Sequence, residues 1–283
     1  MSAIATARQA PVARSQAPLK QPTRRWTRFI LPVYTLVMIL YLASPIFVMI
    51  LYSFNDIPGD RQTPKFWGFT FDWWTNVFNI PGLPEAFKTS LLIAPLSAAV
   101  ATVVGTLFGL ALGRYRFRGT RAVDFIIFLA IAVPEIVLGS SLLSMFILAG
   151  FPLGFTSILL SHIGFSIAFV AITVRARVQG LDRNLEDAAQ DLFASPVAAF
   201  FKVTLPLIAP AILAGFLLAF VLSLDDFVIT NFVAGQETTF PLWVYGAQRI
   251  GIPPQVNVMG TLLFGAGILA AVASVLAQRR RSR

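Results

Sequence analysis

Three carboxylates stand where an apolar chain has least use for them. Glu135 lies in Val133-Pro134-Glu135-Ile136, and Asp225 and Asp226 adjoin in Leu222-Ser223-Leu224-Asp225-Asp226-Phe227, each run inside a long apolar stretch. A carboxylate at the centre of a membrane-crossing helix costs about 2.5–3.5 kcal/mol on insertion scales, so each needs a partner or a task. No Lys or Arg lies mid-stretch to neutralise them. Three acids of one sign suit a path for cations; the structural alternative has them protonated or bonded to Ser and Thr of adjacent helices. Neighbours on a helix point roughly 100° apart, so Asp225 and Asp226 cannot share a direction. Ser223 and Thr230 fall on the face of Asp226, three residues before and four after. The matching neighbours of Asp225 are Val221, Leu222, Val228 and Ile229, all apolar. The pattern assigns Asp225 to a translocation cavity, with Glu135 across it, and a partly structural role to Asp226.

Other chemistry is poorly provided for. His162 is the single histidine and no cysteine exists, so no metal site can be assembled from these residue types. A lone imidazole in an apolar stretch, with Ser161 and Ser166 nearby, reads as an interhelical hydrogen bond rather than a proton relay. The sequence displays no Ser/His/Asp arrangement for hydrolysis. The lysines follow Leu19, Pro64, Phe87 and Phe201, so there is no GxxxxGK phosphate loop. No catalytic residue and no cofactor is expected, and any ATP chemistry must sit on another chain.

The elements that must position the acids are membrane spans. The 283 residues are 57% hydrophobic and 12% charged, with mean hydropathy +0.76; soluble domains carry about 25% charged residues. Six runs approach or exceed the roughly 20 residues a bilayer requires: 29–52, 89–112, 123–148, 155–174, 207–232 and 258–277. Residues 1–25, rich in Ala, Pro, Gln and Arg, predict a disordered tail. It is not a secretory signal, because the apolar run begins only near Phe29 and others follow. Residues 26–283 form one helical bundle in this reading. Eighteen of the basic residues fall in the two tails and the loops after the second and fourth runs; Arg61, Lys65, Lys88 and Arg249 fall on the other side. The asymmetry predicts cytoplasmic termini and accounts for the net charge of +9 without nucleic acid.

Within the second run, Gly105, Gly109 and Gly113 recur every four residues, a ridge for close helix packing. The outer loop 55–88 carries Phe66-Trp67-Gly68-Phe69-Thr70-Phe71-Asp72-Trp73-Trp74, read as an interfacial aromatic belt or a contact for a substrate-delivering protein.

The polar interruption 180–210 has its own helix signals. Asn184 is placed as an N-cap, with Glu186 and Asp187 in the first turn, and Ser195-Pro196 as cap and first residue of a second short helix. Glu186-Asp187-Ala188-Ala189, Asp191-Leu192, Ala194-Ser195 and Thr204-Leu205-Pro206 resemble the cytoplasmic EAA loop of ABC-importer permease subunits. Phe193 departs from that pattern, which has Gly at this place; the departure predicts either a changed turn or a longer first helix.

Ser53-Phe54-Asn55, Pro134-Glu135, Leu222-Ser223-Leu224-Asp225-Asp226 and the stretch 251–257 resemble the polyamine (putrescine/spermidine) branch of those permeases. The resemblance implies an all-α, six-helix type I ABC-importer permease bundle. Its implied partners are a second permease subunit, two ATPase subunits and an extracytoplasmic binding protein. It implies a coupling hairpin at 180–206 in which Glu186, Asp187, Ala188, Ala189 and Leu192 meet the ATPase. A proton-coupled secondary transporter using the buried acids is the alternative, and a membrane scaffold without transport a weaker one.

Overall fold

Every regular element among the described residues is helical, the form in which an apolar chain satisfies its own backbone without water. The computed structural model describes residues 27–59, 61–115, 117–182 and 184–281; the tail expected over 1–25 lies outside them. In chain order the helices are α1 (Thr27–Tyr52), α2 (Asp72–Thr75), α3 (Leu83–Arg114), α4 (Thr120–Ala132), α5 (Glu135–Leu148), α6 (Phe155–Gln179), α7 (Asn184–Asp191), α8 (Pro196–Ala199), α9 (Leu205–Asp225), α10 (Val228–Val233), α11 (Phe240–Ile250) and α12 (Gln255–Arg281). One π-helical turn, Phe200–Thr204, joins α8 to α9.

Four spans pass unbroken by length and composition: α1, α3, α6 and the run Pro196–Asp225 that ends in α9. A fifth is α4 with α5, bent by 107°. The third expected run, 123–148, is therefore not one straight helix. Steric conflict with a proline ring drives the preceding residue out of the helical region, and Val133, before Pro134, sits at ψ 129°. The fifth expected run, 207–232, is corrected as well: helix stops at Asp225 and resumes at Val228. The sixth falls within α12.

The core is built on α3, the longest helix, which packs against both α6 and α9. The glycine ridge makes this possible. A Cβ on Gly105 would lie 2.6 Å from Cβ of Val170, and one on Gly109 would lie 2.8 Å from the carbonyl oxygen of Ala171. Only hydrogen fits where α3 and α6 approach this closely. Ala98, Val170, Val174, Ile208 and Ala219 close the triangle of α3, α6 and α9. A second cluster joins α5 and α10 to the N-terminal half of α6 through Phe146, Ile158, Ile229 and Val233. By contrast α1 packs on α12 and leaves nearly its whole length exposed.

The aromatic loop divides into two populations. Asn55, 1% exposed, ties the loop back by bonding the Lys65 carbonyl and the Trp67 backbone, while Trp73 Nε1 donates to the Asn55 carbonyl at 2.8 Å. Trp73 and Trp74 turn inward onto Val77, Leu83 and Val258. Trp67, Phe69 and Phe71 stay exposed. Part of the cluster is core, and only the remainder is free to line a membrane or a partner.

Candidate functional site

The two aspartates part company at the break between α9 and α10. Asp226 has the backbone conformation φ −63°, ψ 119°, which no helix contains. Its carboxylate takes over the first turn of α10, accepting from the Thr230 N–H at 2.8 Å, the Ile229 N–H at 3.4 Å and the Thr230 hydroxyl at 2.7 Å. His162 of α6 adds Nε2 at 3.2 Å. Asp226 is 9% exposed and has four polar contacts with protein, so its burial is compensated. Thr230 satisfies it as the sequence pattern implied, but across a helix start rather than along a continuous helix. Ser223 does not bond it; Ser223 faces His162 Nδ1 at 2.7 Å and Ser97 of α3 at 2.9 Å. Nor does His162 use Ser161 or Ser166, the neighbours that sequence proximity favoured; its partners are Ser223, Asp226 and Thr230.

Ser223, His162 and Asp226 thus form a Ser–His–Asp array that the sequence conceals. All three are buried, and Ser223 is bonded on its other side to Ser97. Ser223 is only 5% exposed and meets Nδ1 while Asp226 meets Nε2, the reverse of the catalytic order, so the array reads as architecture rather than a nucleophile.

Asp225 points the other way. It is exposed, and among the described residues its carboxylate is bonded by its own backbone alone. It lines a cavity of about 470 Å³ with Phe227, Phe240, Tyr245, Gln248 and Leu263, at the meeting of α9, α11 and α12. The Phe227 and Tyr245 rings lie 4.5 Å apart between centroids, tilted by 42°. Glu135, also exposed, opens α5, where the helix dipole favours a carboxylate, and it lies within electrostatic range of Asp225. The fold thereby brings Glu135 and Asp225 into one neighbourhood and withdraws Asp226 from it. The signal that could have revealed the break is Asp226 itself, a good capping residue followed by the β-branched run Val228-Ile229-Thr230.

The hairpin lies at the other end of the bundle. The Asp182 carboxylate accepts the Asn184 N–H at 3.0 Å, so Asn184 is the first helical residue rather than the N-cap that sequence suggested. Ser195 caps α8 as its side chain accepts the Ala198 N–H at 3.2 Å, with Pro196 first in the helix. Glu186 turns inward and pairs with Arg114 at the end of α3. Asp187, Ala188 and Leu192 face outward, while Ala189 is half-buried. The expected contact face therefore keeps Ala188 and Leu192, one turn apart, at its centre.

Phe193 resolves the departure in a third way. It takes φ 65°, the single non-glycine residue with positive φ among those described. The Ala194 N–H bonds the Ala189 carbonyl at 3.0 Å and the Phe193 N–H bonds that of Gln190 at 2.9 Å, the double closure of a Schellman motif. The turn that glycine would make is retained, at a cost of about 1–2 kcal/mol for the left-handed backbone. The ring is left 99% exposed.

Comparison with known proteins agrees with this architecture. The spermidine/putrescine transport system permease protein PotC of Haemophilus influenzae is 37% identical over 90% of this chain and 98% of its own length. PotC of Escherichia coli is 40% identical over 86% of this chain and 91% of its own. The putrescine transport system permease protein PotI of Escherichia coli is 38% identical over 84% and 87%. Among solved structures, a bacterial ABC transporter for import of the acidic polysaccharide alginate superposes with TM-score 0.64 at 18% identity, covering 93% of this chain and 99% of that one. The methionine transporter MetNI, inward-facing, gives TM-score 0.57 at 19% identity over 70% and 93%. These structures share the fold. Since residues 105–281 match the family described as binding-protein-dependent transport system inner membrane component, the chain belongs to that family and is a multi-pass inner-membrane permease.

Proposed function

We propose that the chain is one of two permease subunits of an ABC importer for polyamines such as putrescine and spermidine, or related small organic cations. It works with a second permease, two ATPase subunits and an extracytoplasmic binding protein. Six spans with both termini and the hairpin 180–206 on the cytoplasmic side complete the arrangement. The observation that carries the cargo reading is Asp225: an ionisable group in an aromatic-walled cavity, with no protein cation bonded to it among the described residues. Carboxylate and ring faces attract an organic ammonium together. Glu135 offers a second negative charge along the path, and Asp226 supports it from behind. The names of the relatives favour the same cargo. Membership of the permease family displaces the proton-coupled alternative.

ATP-driven closure of the ATPases moves the hairpin and switches the spans between outward and inward access. Glu186 and Asp187 organise its first turn, with Ala188, Ala189 and Leu192 at the contact.

Asp225→Asn keeps the shape and removes the charge. Loss of a charge-assisted contact worth about 1.5–3 kcal/mol predicts uptake of labelled putrescine reduced roughly tenfold or more, with basal ATP hydrolysis of the assembled complex retained. Uptake at the wild-type rate would sink the cargo reading. Ala188→Arg tests the hairpin: substrate-stimulated ATP hydrolysis is lost in the reconstituted complex while the spans stay folded, and intact stimulation removes the docking role. For orientation, Gln190→Cys in this cysteine-free chain resists an impermeant thiol reagent applied to intact cells and reacts in inverted vesicles.

A further inference from the structure

One imidazole holds both sides of the helix break. Nδ1 of His162 meets Ser223 in the last turn of α9, and Nε2 meets Asp226 and Thr230, at 3.2 and 3.0 Å, at the start of α10. His162 itself is 1% exposed and belongs to α6, the helix locked against α3 by the glycine ridge. We infer that His162 is a positioning residue: it fixes the break between α9 and α10 against the rigid α3–α6 unit and thereby aims Asp225 into the cavity.

The polar contacts form one continuous chain across the break. The Thr230 hydroxyl donates to Asp226 Oδ2 at 2.7 Å, which leaves its oxygen free to accept from Nε2–H of His162. Nε2–H is then shared between Thr230 and Asp226. Nδ1 meets the Ser223 hydroxyl at 2.7 Å. Ser223 in turn accepts from Ser97 at 2.9 Å. The contacts run from α3 through α9 and α6 to the carboxylate at the break, with the Ser97 hydroxyl placed between Ser223 and the Ala94 carbonyl at 3.0 Å. Moving the ring from this place leaves buried polar groups on both sides of the break unmet. Asp225 is the last residue of α9, two positions after Ser223 and adjoining Asp226 in the chain, so holding both of those side chains restrains its direction. The residue that grips Asp226 therefore also directs Asp225, though it touches no cargo.

The two ring nitrogens can be replaced separately. Asn places its amide near Nδ1 and preserves the tie to Ser223; Gln reaches the place of Nε2 and preserves the tie to Asp226 and Thr230. The test uses the whole importer in lipid nanodiscs, with a Phe227→Cys reporter on the cavity wall, and measures both putrescine KM and maximal rate and the rate of alkylation at position 227. His162→Asn is expected to raise KM roughly tenfold, the loss of one charge-assisted contact, and to change the alkylation rate by a similar factor. His162→Gln stays within about threefold of wild type in both. Wild-type values for the Asn variant overturn the inference. So does equal loss of assembled complex with Asn and Gln, which reduces His162 to core filling. The inference rests on the cargo reading of Asp225, and the alkylation arm separates the two. If Asp225→Asn transports normally while alkylation still responds to His162→Asn, the cargo reading falls and the positioning role stands.

Discussion

The protein interrupts two of its spans, and it does so by opposite means. Between α4 and α5 the agent is local: Pro134 disfavours helix at Val133, and the chain bends by 107°. Between α9 and α10 there is no proline; side chains from α3, α6, α9 and α10 hold the break open through Ser97, His162, Ser223, Asp226 and Thr230. A proline's bias is present whatever surrounds it, although Pro32, Pro45, Pro95 and Pro210 sit inside unbroken helices. A networked break exists only as long as its partners are in register, and can be moved by moving them. The contrast matters because each break delivers one acid to the neighbourhood of the cavity, Glu135 at a fixed bend and Asp225 at an adjustable one.

The sharpest way to break this contrast is Asp226→Ala. Removing one member of a buried pair costs about 3–5 kcal/mol, so the yield of assembled complex should collapse, read by size-exclusion chromatography of detergent extracts. Asp226→Asn keeps the shape and should act in the same direction, mainly through assembly or stability, with less force. Pro134→Ala stands at the other pole. Phe232 packs over Gly139, whose added Cβ would lie 2.6 Å from the ring, and this contact holds α5 against α10 without help from the proline. A change of no more than about 1 kcal/mol is expected in a thermal unfolding scan; a loss comparable to that of Asp226→Ala would erase the distinction. Smallest is Phe193→Gly, where the turn is kept against backbone preference. The substitution relieves about 1–2 kcal/mol and should slow hydrogen exchange at the amides of Phe193 and Ala194 by roughly tenfold, with the complex assembling normally. Faster exchange would mean the phenyl ring itself holds the turn.

What the sequence made legible follows the range of the interaction. Apolar runs, the Gly105–Gly109–Gly113 ridge and the Ser195-Pro196 cap are local signals, and each corresponds to an observed element. The bend at Pro134 was equally local and was read through only because the flanking residues are uniformly apolar. The network at Asp226 was out of reach for another reason. His162 finds Ser223 and Asp226 at separations of 61 and 64 residues, and Ser97 finds Ser223 at 126. No window along the chain contains those pairs. Helical phase alone did separate Asp225 from Asp226, although the helix it assumed ends between them. Phe193 shows a third limit. Residue preference argued against a left-handed Phe, yet two backbone bonds and an unobstructed ring outweigh that preference.

The sealed Ser223–His162–Asp226 array has a bearing on how such membranes are surveyed chemically. Its residue types are those of a serine hydrolase, but Ser223 meets Nδ1 and Asp226 meets Nε2, the reverse of the catalytic order, and a fluorophosphonate probe, which needs an approachable hydroxyl, should leave the intact permease unlabelled. Labelling that emerged only after detergent denaturation would report unfolding of the bundle rather than turnover. In a lipid-embedded chain the same three side chains that elsewhere cut bonds can serve as a dowel, and reachability from solvent is the property that tells the two uses apart.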